Sequence, residues 1–133
     1  MKKTVFILTA LFAFSFASCK KDKSFTDQLV GNWKSVEVKS DGTDVSAFTQ
    51  FKLNMQASKE FDLDQISKNI LTGTSSTESY TGDWEENTDK NDVTLKYITG
   101  EVKTYDVKEI TEDVLKVEFV DNNQRITIQF DKQ

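Results

Sequence analysis

The 133-residue chain has no histidine, no proline, one cysteine and five glycines. Each shortage removes a class of explanation. Without imidazole, neither a Ser-His-Asp nor a Cys-His nucleophile can be assembled, and zinc sites built on His are excluded with them. A lone Cys19 cannot form an internal disulfide, so the fold must rest on packing. Basic residues are in the minority too: 17 Lys and Arg, with Arg125 the sole Arg, stand against 22 Asp and Glu. Such a surface repels polyanions, and no basic stripe with interleaved aromatics offsets it, so nucleic acid is not an expected partner. No Gly-rich phosphate loop or dinucleotide fingerprint occurs. The acidic pairs Asp62 with Asp64 and Asp83 with Glu85 read as solvated strand faces rather than calcium ligands. The expectation is therefore a protein without catalytic residues, metal site or cofactor.

What is present begins at the N-terminus. Met1, Lys2 and Lys3 precede an apolar run over residues 4–16, too short to span a bilayer, and Phe16-Ala17-Ser18-Cys19 follows. This segment resembles a bacterial lipoprotein signal. The tetrapeptide is similar to the lipobox, with Phe16 where Leu is usual, and the resemblance implies removal of residues 1–18 and diacylation of Cys19. It further implies that the membrane is a partner through lipidated Cys19, because each buried CH2 contributes about 0.8 kcal/mol and two or three chains hold firmly. Lys20 and Lys21 rather than Asp follow the cysteine. By similarity to Gram-negative sorting signals, that points to the cell envelope, at the outer membrane and facing the periplasm. Residues 19–28 then form the lipidated Cys and a polar tether, and residues 29–133 one domain.

That domain alternates apolar and polar residues with the period of a strand. Phe51, Leu53 and Met55 share one face, as do Phe61 and Leu63, then Val93, Leu95 and Tyr97, and later Leu115, Val117 and Phe119, and Ile128 and Phe130. Asp41-Gly42 is a hairpin signal, and Asp121-Asn122-Asn123 turns the chain into its last strand. Within the first strand the alternation slips by one between Trp33 and Val36, which predicts a bulge. Residues 67–79, dense in Ser, Thr and Gly, read as the longest loop or an irregular edge. No amphipathic helix is available to cover the sheet, so it must bury its own face. The expected fold is all-β, an eight-stranded antiparallel up-and-down barrel, with a two-sheet sandwich as the alternative.

At Leu29-Val30-Gly31-Asn32-Trp33-Lys34 the chain resembles the Gly-x-Trp opening of the lipocalin superfamily, and more closely the small lipocalin-like domains of bacterial envelope lipoproteins. Gly82-Asp83-Trp84 repeats the motif, and Tyr105-Asp106-Val107 with Thr111-Glu112-Asp113-Val114-Leu115 is similar to the family's ending. The resemblance implies a barrel open at one end that holds a small apolar or amphipathic molecule. It also implies that Gly31, Trp33 and Arg125 form the barrel base, Arg125 matching the arginine that packs over the opening Trp. Trp84, Tyr80 and Tyr97 are the candidate ligand-binding aromatics, with Tyr105 and Met55 on the inward face, and Trp84 otherwise packs in the core. The competing reading is a barrel filled by its own side chains, acting as a structural or protein-interaction lipoprotein through residues 67–79 and an envelope protein partner.

Overall fold

A computed structural model describes residues 23–133. The signal segment and Cys19 lie outside the described residues. Nine strands run in chain order: β1 (Gly31–Ser40), β2 (Thr43–Asp44), β3 (Thr49–Met55), β4 (Glu60–Lys68), β5 (Ser75–Asn87), β6 (Asp92–Tyr97), β7 (Val102–Ile110), β8 (Val114–Asp121) and β9 (Gln124–Lys132). Chain neighbours from β3 to β9 pair antiparallel, β1 pairs β3, and β1 also pairs β9, which closes the sheet. Since β2 is a two-residue flap on β1, the eight long strands form a closed up-and-down barrel. Closure is how a one-faced sheet without a covering helix hides its apolar side.

The predicted slip in the first strand is a bulge between Ser35 and Glu37, which returns Val38 to the interior. Just before it, the β1–β3 ladder ends at Lys34 opposite Lys52, and buried Ser35 Oγ accepts the Phe51 N–H at 2.8 Å in its place. Beyond the bulge β1 turns from β3 to the flap: Val45 N–H donates to the Val38 carbonyl at 2.8 Å, and Val38 N–H donates to Ser46 Oγ at 2.8 Å. Asp41-Gly42 and Asn122-Asn123 make two-residue turns with positive φ at both positions, 48° and 82° in the first and 48° and 63° in the second. Those angles match the strand twist, and Gly, Asn and Asp tolerate them.

Two expectations are corrected. Residues 67–79 are mostly strand: β4 continues to Lys68, β5 starts at Ser75, and the connection is the short segment 69–74. Thr favours strands, and pairing with β4 satisfies the backbone of a stretch whose composition reads as loop. The tether ends in a one-turn helix α1 (Phe25–Leu29), where Ser24 Oγ accepts the Asp27 N–H at 3.1 Å and Leu29 is fully buried. A single turn is too short to show a helical period.

The barrel has two unlike ends. Helix α1, the 56–59 and 88–91 turns, the 111–113 turn and the C-terminus gather at one; segments 41–48, 69–74, 98–101 and 122–123 gather at the other. Gly82 is fixed by a close approach, since a Cβ there would stand 2.0 Å from the Lys96 carbonyl oxygen and 3.0 Å from Phe61 Cε1. The backbone cannot retreat without breaking the β5–β6 ladder. Gly82→Ala should lower the unfolding free energy by more than about 2 kcal/mol in a urea titration. A change within about 0.5 kcal/mol would contradict this packing.

Candidate functional site

The closed end is built twice over from one device. Trp33 is 1% exposed, its Nε1–H donates to the Leu29 carbonyl at 2.9 Å, and Lys132 Nζ stands 5.1 Å from its ring centroid. Trp84 is 2% exposed, its Nε1–H donates to the Gln56 carbonyl at 3.0 Å, and Lys59 Nζ stands 4.1 Å from its ring. Each indole thus buries its apolar body, satisfies its one donor and gains a cation over its face. Gly31 makes room for the first cation: at φ 147° its missing Cβ would lie 2.6 Å from Lys132 Cε. Lys59 also pairs with Glu86, which accepts from Thr26 Oγ1 of α1. Burial alone would raise the Glu86 carboxyl, but these hydrogen bonds outweigh it and hold the group below its ordinary 4.5.

This arrangement takes Arg125 and Met55 out of their candidate roles and gives Trp84 the core role that was its alternative. Lys132, not Arg125, stands over Trp33. Arg125 lies at the opposite end, exposed, with its backbone N–H donating to Asp41 Oδ1 at 2.8 Å and its side-chain Nε 3.5 Å from Glu118 Oε1. The role needs only a cation at the end of the last strand, and a lysine meets it. Trp84 packs the closed end and lines no cavity with Tyr80 or Tyr97. Met55 is buried in the lower interior, where a cavity of about 30 Å³ is bounded by Leu95, Leu115, Val117 and Phe130. That space is apolar and close to the size of a single water, so the lower barrel is filled.

The open end differs. A cavity of about 250 Å³ descends from the mouth to Phe51, Leu63 and Tyr105, which it shares with the lower interior. Val38, Val45, Phe119 and Ile126 line one side; Thr49, Gln65 and Ser67 from β3 and β4 line another. Tyr97 and Tyr105 meet there, their hydroxyls sharing a hydrogen bond of 3.2 Å, and Tyr80 sits edge-on to Tyr97 with centroids 5.6 Å apart. At the rim Glu101 pairs with Lys103 at 3.6 Å, and Asp121 completes the border. Among the described residues, Thr49 Oγ1 is the buried side-chain oxygen without a hydrogen-bond partner.

The structure therefore brings Tyr80, Tyr97 and Tyr105 together and leaves Trp84 and Met55 outside the mouth. Thr49, Gln65 and Ser67 join them, unforeseen from the sequence. Their signal was positional: Thr49 shares its strand face with Phe51 and Leu53, and Gln65 and Ser67 share theirs with Phe61 and Leu63. Polar residues on an apolar register mark where a core opens to water or to a ligand. No group of three or more His, Cys, Asp or Glu able to hold a metal ion occurs among the described residues.

The Lipocalin-like domain family matches residues 29–117, and the chain belongs to that family. Solved structures share the fold at low identity. The bovine lipocalin allergen Bos d 2 aligns with TM-score 0.50 and 14% identity over 81% of this chain and 75% of its own. Bovine odorant-binding protein, solved in complex with its natural ligand, aligns with TM-score 0.50 and 16% identity over 80% of this chain and 72% of its own. A de novo designed fluorescence-activating β-barrel aligns with TM-score 0.50 and 13% identity over 81% of this chain and 96% of its own. No curated protein matches the chain in sequence.

All three tyrosines are held above the ordinary 10.0. Burial raises Tyr97 and Tyr105, and a hydrogen bond donated to Glu78 raises Tyr80. A neutral group whose proton is held more tightly in the folded state contributes stability that is complete below its unfolded pKa and is lost as pH rises beyond it. An ultraviolet titration should therefore show at most one tyrosinate step while the barrel is folded, that of Tyr80, then ionisation of Tyr97 and Tyr105 together with unfolding at higher pH. A step near pH 10 that accounts for more than one tyrosine in the folded protein would contradict the buried hydroxyl pair.

Proposed function

We propose that this chain is a lipid-anchored protein of the bacterial cell envelope that binds a small amphipathic molecule in the barrel mouth. The apolar part lies between Phe51, Leu63 and Phe119. The polar part meets the side of the wall formed by Thr49, Gln65 and Ser67.

The observation that carries this reading is the 250 Å³ cavity at the mouth, whose wall sets Val38, Phe51, Leu63 and Phe119 against Thr49, Gln65 and Ser67. The volume falls just under the roughly 300–1,000 Å³ of drug-sized ligand sites, which favours a compact molecule. A filled barrel acting on an envelope protein is the second reading, favoured by the packed lower half but not by the open mouth.

The anchor reading is supported by the lipobox-like residues 16–19 and by where the chain enters the fold. Lys23 pairs with Glu112 at the closed end. Cys19 precedes it by four positions, a reach of at most about 14 Å. An anchored barrel then stands with its closed end at the membrane and its mouth turned into the periplasm, so the ligand is captured from the aqueous side. A mature chain that begins anywhere but at an acylated Cys19, read by intact mass, would contradict the anchor.

Binding is tested with anilinonaphthalene sulfonate as the probe, read by its fluorescence. The wild type should saturate at micromolar probe. Gln65→Leu, which keeps the length of the side chain and loses the amide, should weaken binding by about fivefold, in line with one hydrogen bond. Gln65→Trp, which fills the mouth, should abolish it at unchanged Tm. Equal binding by all three proteins would place the probe elsewhere and contradict the mouth site.

A further inference from the structure

The strand β6 stops at Tyr97, where Ile98 N–H donates to the Thr81 carbonyl at 3.0 Å, and the β5–β6 register begins only at Gly82. β5 nevertheless continues outward from Tyr80 to Ser75, paired with β4 along one side alone. In an antiparallel sheet the main-chain groups of alternate residues point to the same neighbour. Thr81 points towards β6, so Ser79, Thr77 and Ser75 point the same way, into a slot that no strand among the described residues fills.

We propose that this edge is a docking site for an extended segment of another polypeptide, added as a strand beside β5 with alternate side chains facing the barrel mouth. The chemistry presented is backbone chemistry: unmet N–H and C=O groups from three residues are a template for a strand. The usual protections are missing, since residues 75–80 contain no Pro, no Lys and no bulge. The one charge, Glu78, is turned back to accept from the Tyr80 hydroxyl at 2.6 Å. Apolar side chains bracket the slot, with Leu71 98% exposed beyond one end and Ile98 83% exposed at the other. Tyr80 lines the mouth, and Glu78 shares its strand face. An incoming strand therefore fits best with a basic residue opposite Glu78 and an aliphatic one opposite Tyr80.

A second copy of this chain does not meet the geometry. A two-fold axis pairs identical edges antiparallel, which points the two barrels in opposite directions. Copies anchored in one membrane stand parallel, because each tether enters at Lys23 on the closed end; this exclusion rests on the lipid-anchor reading above. The occupant is therefore a different chain.

The test is hydrogen–deuterium exchange on the full chain in phospholipid nanodiscs, with the capped peptide Ile-Thr-Lys-Thr-Ile-Thr as the probe. Its Ile and Lys side chains share the inward face, and its threonines turn their backbone towards β5. At about 1 mM peptide, exchange over residues 75–80 should slow by about tenfold. The same peptide N-methylated at its threonines should have no effect on the wild-type protein, a control that needs no folded variant. Thr77→Pro removes a donor that faces the slot and spares the β4 ladder, so it should abolish the protection. Unchanged exchange at saturating peptide would overturn the proposal, as would equal protection by the N-methylated peptide. Protection of residues 75–80 without peptide, together with crosslinked dimers, would overturn it in favour of self-pairing.

Discussion

β1 pairs with β9 from Trp33 to Ser40 but with β3 only from Gly31 to Lys34, and this unequal sharing sets what the interior can hold. Below the bulge at Ser35–Glu37 both ladders are intact and the wall is tight enough to seal around Trp33. Above it β1 leaves β3, the 43–46 flap spans the gap, and the wall opens. The 250 Å³ cavity has Val38, Val45, Thr49 and Phe51 on its wall, the residues on either side of that divergence. One extra residue in one strand thus separates a filled half from an open half.

Stability and binding are divided along the same line. Burying two tryptophans at roughly 150–250 Å² each contributes on the order of 4–6 kcal/mol apiece at about 25 cal/mol per Å², as an upper estimate. Their N–H groups are satisfied, their faces carry Lys132 and Lys59, and Glu86 ties the second cluster to α1. The mouth has no such completeness: among the described residues, Thr49 Oγ1 lacks a partner and β5 carries an unpaired edge. Local incompleteness is tolerated where the rest of the fold holds firm, and it is where ligands and partners find purchase.

Much of this was legible in the residues themselves. Period-two alternation gave the strands, its slip after Trp33 gave the bulge, and Asp41-Gly42 and Asn122-Asn123 gave the turns, because each is a local consequence of backbone geometry. Long-range geometry was not legible. Composition made residues 67–79 a loop or an irregular edge, and the β4 partner makes most of them strand. Being the only arginine drew attention to Arg125, although closure of the barrel brings Lys132 opposite Trp33. Trp84 looked like a neighbour of Tyr80 from four residues away, yet the 56–59 turn folds over it and draws it into the closed end. Thr49 and Gln65 were visible as polar residues on an apolar register, but only the third dimension shows that they face a cavity rather than a rim.

The most direct test of the binding mouth is mass spectrometry of the solvent extract from the full chain purified from its native envelope. The account predicts one small amphipathic molecule in near-equal amount to protein, missing from the extract of a Gln65→Trp variant prepared in parallel. Extracts without a stoichiometric small molecule, from wild type and variant alike, would contradict a binding mouth and leave a barrel that acts through its surface.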